Sequence, residues 1–211
     1  MSSCLTSSSE CRIAAIAQLR ASSNKFANLA DVAFTARLAR REGASMLFLP
    51  ECFGFMGESA EQTLAQAEPP LDDDSWTNKV EVSEELQRIV ASDSVDDASS
   101  LDGMPENSEV SLFDGLRTIA KESGLWISAG GMHVLRKPCH NENEKKRVCN
   151  THIILDGQGQ IKCSYEKIHL FDVSIPGKID LRESATTVPG KNLIVCNSPL
   201  GNMTACRLRG L

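Results

Sequence analysis

No apolar run in this chain approaches the length needed to cross a bilayer as a helix. The first ten residues, Met1 to Glu10, hold no Lys or Arg and lead into no long apolar core, so the chain does not open like a secretory signal. The same stretch is Ser-rich, and it is read as a flexible tail over residues 1–10. A cytoplasmic location is expected, with plastid and mitochondrial addresses left open. Tight cysteine spacing is missing too. The 8 Cys are scattered through strand-like and loop segments, which argues for free thiols rather than a disulfide framework. Cys139 and His140 with Cys149 and His152 match no zinc-finger spacing, and an odd offset along a strand sends Cys149 and His152 to opposite faces. No metal site is expected. There is no internal repeat, and no cluster of basic residues of the kind that binds nucleic acid.

What is present is ordinary for one globular domain: 211 residues, 41% of them hydrophobic. Charge is unevenly placed. The net charge is −6, but residues 58–114 carry 16 acidic side chains against Lys79 and Arg88, a balance of −14. The remainder, with 20 basic and 12 acidic residues, stands at +8, which suits an anionic small substrate.

The acidic excess marks an insertion at about 58–110. Its runs Pro69 to Asp74 and Ser92 to Asn107 are rich in Asp, Ser and Pro and poor in apolar residues. Such a composition cannot offset its ordering entropy, so a mobile surface segment is expected, with one short helix at Ser83 to Val90. Around it the pattern is α/β. Arg12 to Leu19 reads as a buried strand. Leu29, Val32, Ala33, Ala36 and Leu38 recur at helical spacing before Gly43, and Met46 to Leu49 reads as a second strand. Ser111 with Asp114 resembles a capping box for a helix ended by Gly124. Leu125 to Ala129 is a strand closed by Gly130-Gly131. Val148 to Leu155 and Gln160 to Tyr165 form a hairpin around Asp156-Gly157, and another pair turns around Pro199 to Gly201.

Two positions carry chemistry. Pro50 cannot donate to a ladder, so the Met46 strand stops there and Glu51 sits just past its end, near Phe48, Phe53 and Phe55. A carboxylate held among aromatic rings loses hydration, which favours a general base useful near neutral pH. Lys167 ends the strand that begins at Gln160. In isolation it reads as a surface lysine.

The stretches RIAAIAQL, FLPECFGFMG, GLWISAGGMH, CNTHIILDGQG, YEKIHLFDVSIPG and ESATTVPG, in this order, resemble the nitrilase, or carbon–nitrogen hydrolase, superfamily. The likeness is nearest to its Nit branch, which includes deaminated glutathione amidase and omega-amidase. The resemblance implies a four-layer αββα sandwich over residues 11–211. It also implies amide hydrolysis by a Glu–Lys–Cys triad without metal or organic cofactor, small carboxylate-bearing amides as substrates, and homo-oligomers. No membrane or nucleic-acid partner is expected. Glu51 matches the family's base and Lys167 its lysine. A thiol must lose a proton to attack an amide, and a fixed ammonium stabilises the oxyanion that forms.

The departure lies at the nucleophile. By the family pattern the catalytic cysteine falls near Leu208. Cys206 comes two residues early, without the Tyr-Asp that follows in the family. Along a strand that offset is about 6–7 Å. Cys206 is therefore a weak candidate for the catalytic thiol, and an impaired amidase is expected. The ending reads as an altered splice product or a frame-shifted coding sequence. It leaves the sandwich incomplete at the C-terminus, without a further glutamate that the resemblance places beyond it. The rival reading is an inactive paralogue that pairs with a full-length subunit.

Overall fold

The computed structural model describes residues 12–71, 111–137 and 145–205. Its centre is a five-stranded sheet in the order β1-β2-β3-β4-β5: Ile13–Ile16, Ala44–Leu49, Trp126–Leu135, Val148–Leu155 and Ile161–Glu166. β1, β2 and β3 are parallel, and β3–β4 and β4–β5 are antiparallel. Parallel neighbours need crossovers. Helix α1 (Lys25–Arg41) joins β1 to β2, and helix α3 (Leu112–Ser123) leads into β3. The short helix α2 (Ala60–Ala65) stands between them in the chain.

Local chemistry sets the helix ends. Asn24 accepts from the Ala27 N–H at the start of α1, and Ser111 accepts from the Asp114 N–H at the start of α3. Gly124 closes α3 in the left-handed conformation, at φ 66°. The apolar stripes of both helices then cover one face of the sheet. Leu29, Val32, Leu116 and Ile119 form one cluster with Leu47, Ile127 and Ile153. Alternation sends Met46, Trp126, Ile154 and Cys163 to the other face, where the hairpin β8–β9 (Ile194–Ser198, Gly201–Ala205) supplies Ile194, Cys196, Leu200 and Met203. Helix layer, sheet and a further β layer follow in that order, as an α/β sandwich requires.

Three expectations change. The first strand forms, but as an edge: Ile16 is 85% exposed and outside the second cluster, because only Ala15 and Ala17 turn toward the helices. Gly130-Gly131 does not end β3. The strand runs on to Leu135, and the register shifts between Ala129 and Met132, so the glycines form a bulge. Residues 58–71, expected to belong to a mobile segment, are built into the fold. Ser59 caps α2, and Glu68 is 1% exposed because its carboxylate meets Lys25 Nζ (2.5 Å), Ser111 Oγ (3.0 Å) and the Leu112 N–H (3.0 Å). Leu71 packs on the main cluster. The Ser83 to Val90 helix lies outside the described residues.

Candidate active site

Glu51 reaches its position through backbone geometry. β2 ends at Leu49, and the chain turns at Pro50. Cys52 takes φ 57°, and its N–H donates to Gly131 O at 2.8 Å. The β3 bulge lets two backbones approach. A Cβ on Gly130 would stand 2.7 Å from Leu49 O, and one on Gly131 would stand 2.9 Å from Glu51 Cγ. Only glycine fits that passage. The Gly-Gly pair, read from sequence as a strand stop, is what lets Glu51 sit against the sheet.

Lys167 follows β5. Its N–H donates to Asn150 O (2.8 Å), one step beyond the β4–β5 ladder, and its own carbonyl accepts from Gly190 (2.9 Å). The side chain is 9% exposed, and its ammonium lies 3.3 Å from Glu51 Oε1 and 2.7 Å from Glu183 Oε2. Asn150 Nδ2 donates to Glu51 Oε1 at 2.8 Å and to Glu183 Oε1 at 3.4 Å. One buried cation and one amide thus hold two carboxylates. Satisfying a buried charge in this way fixes its position.

Glu183 opens a one-turn 3₁₀ helix, Glu183–Ala185, after the hairpin β6–β7 (Asp172–Ile175, Ile179–Arg182). Asp172 accepts from the Ser184 N–H and Oγ, Arg147 Nη2 donates to the Ser184 and Thr187 carbonyls, and the Phe171 N–H donates to Glu183 Oε2. Sequence reading missed Glu183 and Asn150, although both stand in quoted stretches, ESATTVPG and CNTHIILDGQG. It looked for a further glutamate beyond the C-terminus, whereas the structure supplies one from residue 183. It did not assign to Glu51 the polar neighbours Asn150 and Lys167, whose side chains both donate to it.

A cleft of about 820 Å³ opens over this group, with Cys52, His133, His169 and Arg182 in its walls. Burial pushes the Cys52 thiol up, against the pull of Lys167, so it is not primed as a thiolate. Burial holds His133 below its usual range, as a neutral imidazole. A second cavity of about 430 Å³ is also lined by Glu51, Asn150 and Lys167. Met203 and Thr204 of β9 line it, so β9 runs past the pair. Cys206 and Leu208 lie outside the described residues, as do Cys139 and His140.

Comparison with known proteins points one way. The family model described as carbon-nitrogen hydrolase matches residues 13–207. A nitrilase and fragile histidine triad fusion protein, NitFhit, of Drosophila melanogaster is 33% identical over 176 residues, covering 83% of this chain and 28% of that protein. A deaminated glutathione amidase of Bos taurus is 29% identical over 188 residues, 89% of this chain and 45% of that protein. The chain therefore spans less than half the length of these relatives. Among solved structures, the C. elegans NitFhit protein superposes with a TM-score of 0.59 at 24% identity, over 89% of this chain and 35% of that one. Saccharomyces cerevisiae Nit3, a member of branch 10 of the nitrilase superfamily, gives 0.55 at 21% identity, over 90% of this chain and 52% of that one. At these identities the structures establish the fold.

Proposed function

This chain belongs to the carbon–nitrogen hydrolase family, and from that premise we propose that its cleft takes a small carboxylate-bearing amide, of the deaminated glutathione type. Glu51 is the base and Lys167 the electrostatic stabiliser. The observation that carries the reading is the 3.3 Å approach of the Lys167 ammonium to Glu51 at the floor of the cleft. Cationic Arg182 on the wall suits a substrate carboxylate. Relatives named deaminated glutathione amidase support the substrate class.

In the reaction, Glu51 takes the proton of a thiol, and the sulfur attacks the amide carbon. Lys167 faces the new oxyanion. The C–N bond breaks, ammonia leaves with the proton from Glu51, and the same carboxylate activates the water that hydrolyses the thioester. Glu183 and Asn150 position the Lys167 ammonium and the Glu51 carboxylate and do not enter these steps.

Cys206 is the candidate thiol. Two residues from the family position, it supports weak turnover only. The test is ammonia release from deaminated glutathione and short omega-amides by the purified soluble chain. Weak or absent turnover is expected, further reduced by Glu51→Gln. Robust turnover abolished by Cys206→Ser would overturn the impairment. Turnover indifferent to Cys206→Ser but lost with Glu51→Gln would refute the covalent route. The rival reading, pairing with a full-length subunit, is favoured by exposed Ile16, Leu193 and Val195. Co-purification with a full-length family member tests it.

A further inference from the structure

Two cysteines outside the active site stand together. Cys163 on β5 and Cys196 on β8 share the second apolar cluster with Met46 and Ile154, and both are buried. The two side chains pack together in this four-residue cluster, where Cys196 Sγ also donates to Asn197 O at 3.6 Å. The connection they span is structurally special. Among the described residues, β8 and β9 pair only with each other and lend no ladder hydrogen bond to the five-stranded sheet. The hairpin is held by side-chain packing against β5 and its neighbours, while Leu193 and Val195 face solvent. Met203 and Thr204 on its second strand line the smaller cavity together with Glu51 and Lys167.

We infer that Cys163 and Cys196 form a thiol–disulfide exchange site, whose oxidation by a low-molecular-weight disulfide of the glutathione type staples the β8–β9 hairpin to β5. The chemistry balances. The thiolate of one cysteine attacks glutathione disulfide, the S–S bond of the reagent breaks, and one glutathione thiol leaves. The second cysteine then attacks the mixed disulfide, the Cys163–Cys196 bond forms, and a second glutathione leaves. The two thiol protons end on the two glutathiones. The protein pair is oxidised and the reagent reduced. Burial pushes the Cys163 thiol up to about 12, so exchange in the closed state is slow and proceeds as the hairpin opens. Such a bond closes a loop from residue 163 to 196 and fixes the wall that β9 presents to Glu51 and Lys167. The inference stands on this packing and does not depend on the amidase reading.

The experiment incubates the folded full chain with glutathione disulfide, quenches in acid, alkylates free thiols and maps tryptic peptides by mass spectrometry. Cys163 falls in the peptide 163–167 and Cys196 in 192–207, which also holds Cys206, so fragmentation must place the bond. The expected product is a Cys163–Cys196 link. With it the melting temperature should rise by about 5 °C or more. Reductant should reverse the rise, and both Cys163→Ser and Cys196→Ser should abolish it. Cys149, equally buried but beside Glu166 rather than a thiol, is the internal control and should stay alkylatable. Recovery of Cys163 and Cys196 as free thiols, as glutathione mixed disulfides, or with Cys163 linked to Cys206, would overturn the inference. The mapping on the unsubstituted chain decides the matter even if a variant fails to fold.

Discussion

Glu68→Ala should destabilise the protein more than any other single change in the acidic segment. The Glu68 carboxylate is 1% exposed and accepts from Lys25 Nζ at 2.5 Å, Ser111 Oγ at 3.0 Å and the Leu112 N–H at 3.0 Å. Its backbone also bridges to β3, donating to His133 O at 2.9 Å and accepting from Leu135 N at 2.8 Å. Truncation leaves the largely buried Lys25 ammonium without its carboxylate, and breaking a buried pair from one side costs about 3–5 kcal/mol. With a urea slope of about 2 kcal/mol/M, the unfolding midpoint should fall by about 1.5–2.5 M. The double variant Lys25→Met/Glu68→Gln removes the stranded charge and keeps an acceptor for Ser111 and Leu112. It should lie within about 1.5 kcal/mol of the parent. Urea unfolding followed by tryptophan fluorescence reads all three proteins. A midpoint shift under about 0.5 M for Glu68→Ala, or a double variant no better than the single, would refute the claim that this pair clamps α3 to α1.

Other outcomes follow from the same geometry. Burial holds His152 down to about 4, against an ordinary 6.5, with Ser128 Oγ 2.9 Å from its Nε2. The unfolded chain therefore binds more protons between these values, so stability is full above pH 6.5 and falls on acidification toward 4, by up to about 1.4 kcal/mol per unit. His152→Gln should flatten that part of the urea-midpoint profile, and an unchanged slope would refute the assignment. Gly131→Ala adds a Cβ 2.9 Å from Glu51 Cγ at a φ of 27°, so it should cost about 1–3 kcal/mol in urea unfolding and lower any ammonia release at least 10-fold. Deleting Asp72 to Met104 should leave the melting temperature within about 2 °C, whereas a deletion reaching back through Glu68 should lower it by about 10 °C or more.

Much of the frame was legible because short-range chemistry dictates it. The Ser111 cap, the left-handed Gly124 and the alternation of Met46, Leu47, Phe48 and Leu49 between two faces each act within a few residues. Glu51 and Lys167 were legible through family motifs. The proposed chemistry, which needs both around one carbonyl, also led us to expect them close together, and they stand 3.3 Å apart across a chain separation of 116 residues. The turn after β4 shows a limit on a small scale. The strands on either side fall where they were expected, but the turn signal did not show how the loop is held: Asp156 Oδ1 accepts from the Gln158 and Gln160 N–H groups, and the positive φ falls at Gly159.

Glu183 and Asn150 were missed for a physical reason. Neither has a local signal. Asn150 sits inside an apolar strand, where an amide reads as an exposed position. Its side chain is buried only because the β3 bulge and the β2 exit bring Glu51 across it. Glu183 follows an exposed hairpin and reads as a solvated residue. It faces Lys167 only because Asp172 and Arg147 fasten the turn that carries it. Neither could be left unpartnered where it stands, since each polar atom withdrawn from water here must find a partner in the same group. The four side chains are therefore one electrostatic unit, with two carboxylates, one ammonium and one amide. Removing the ammonium leaves two carboxylates facing each other across Asn150, so the largest structural penalty at the site falls on Lys167, the residue that in isolation looked most like ordinary surface.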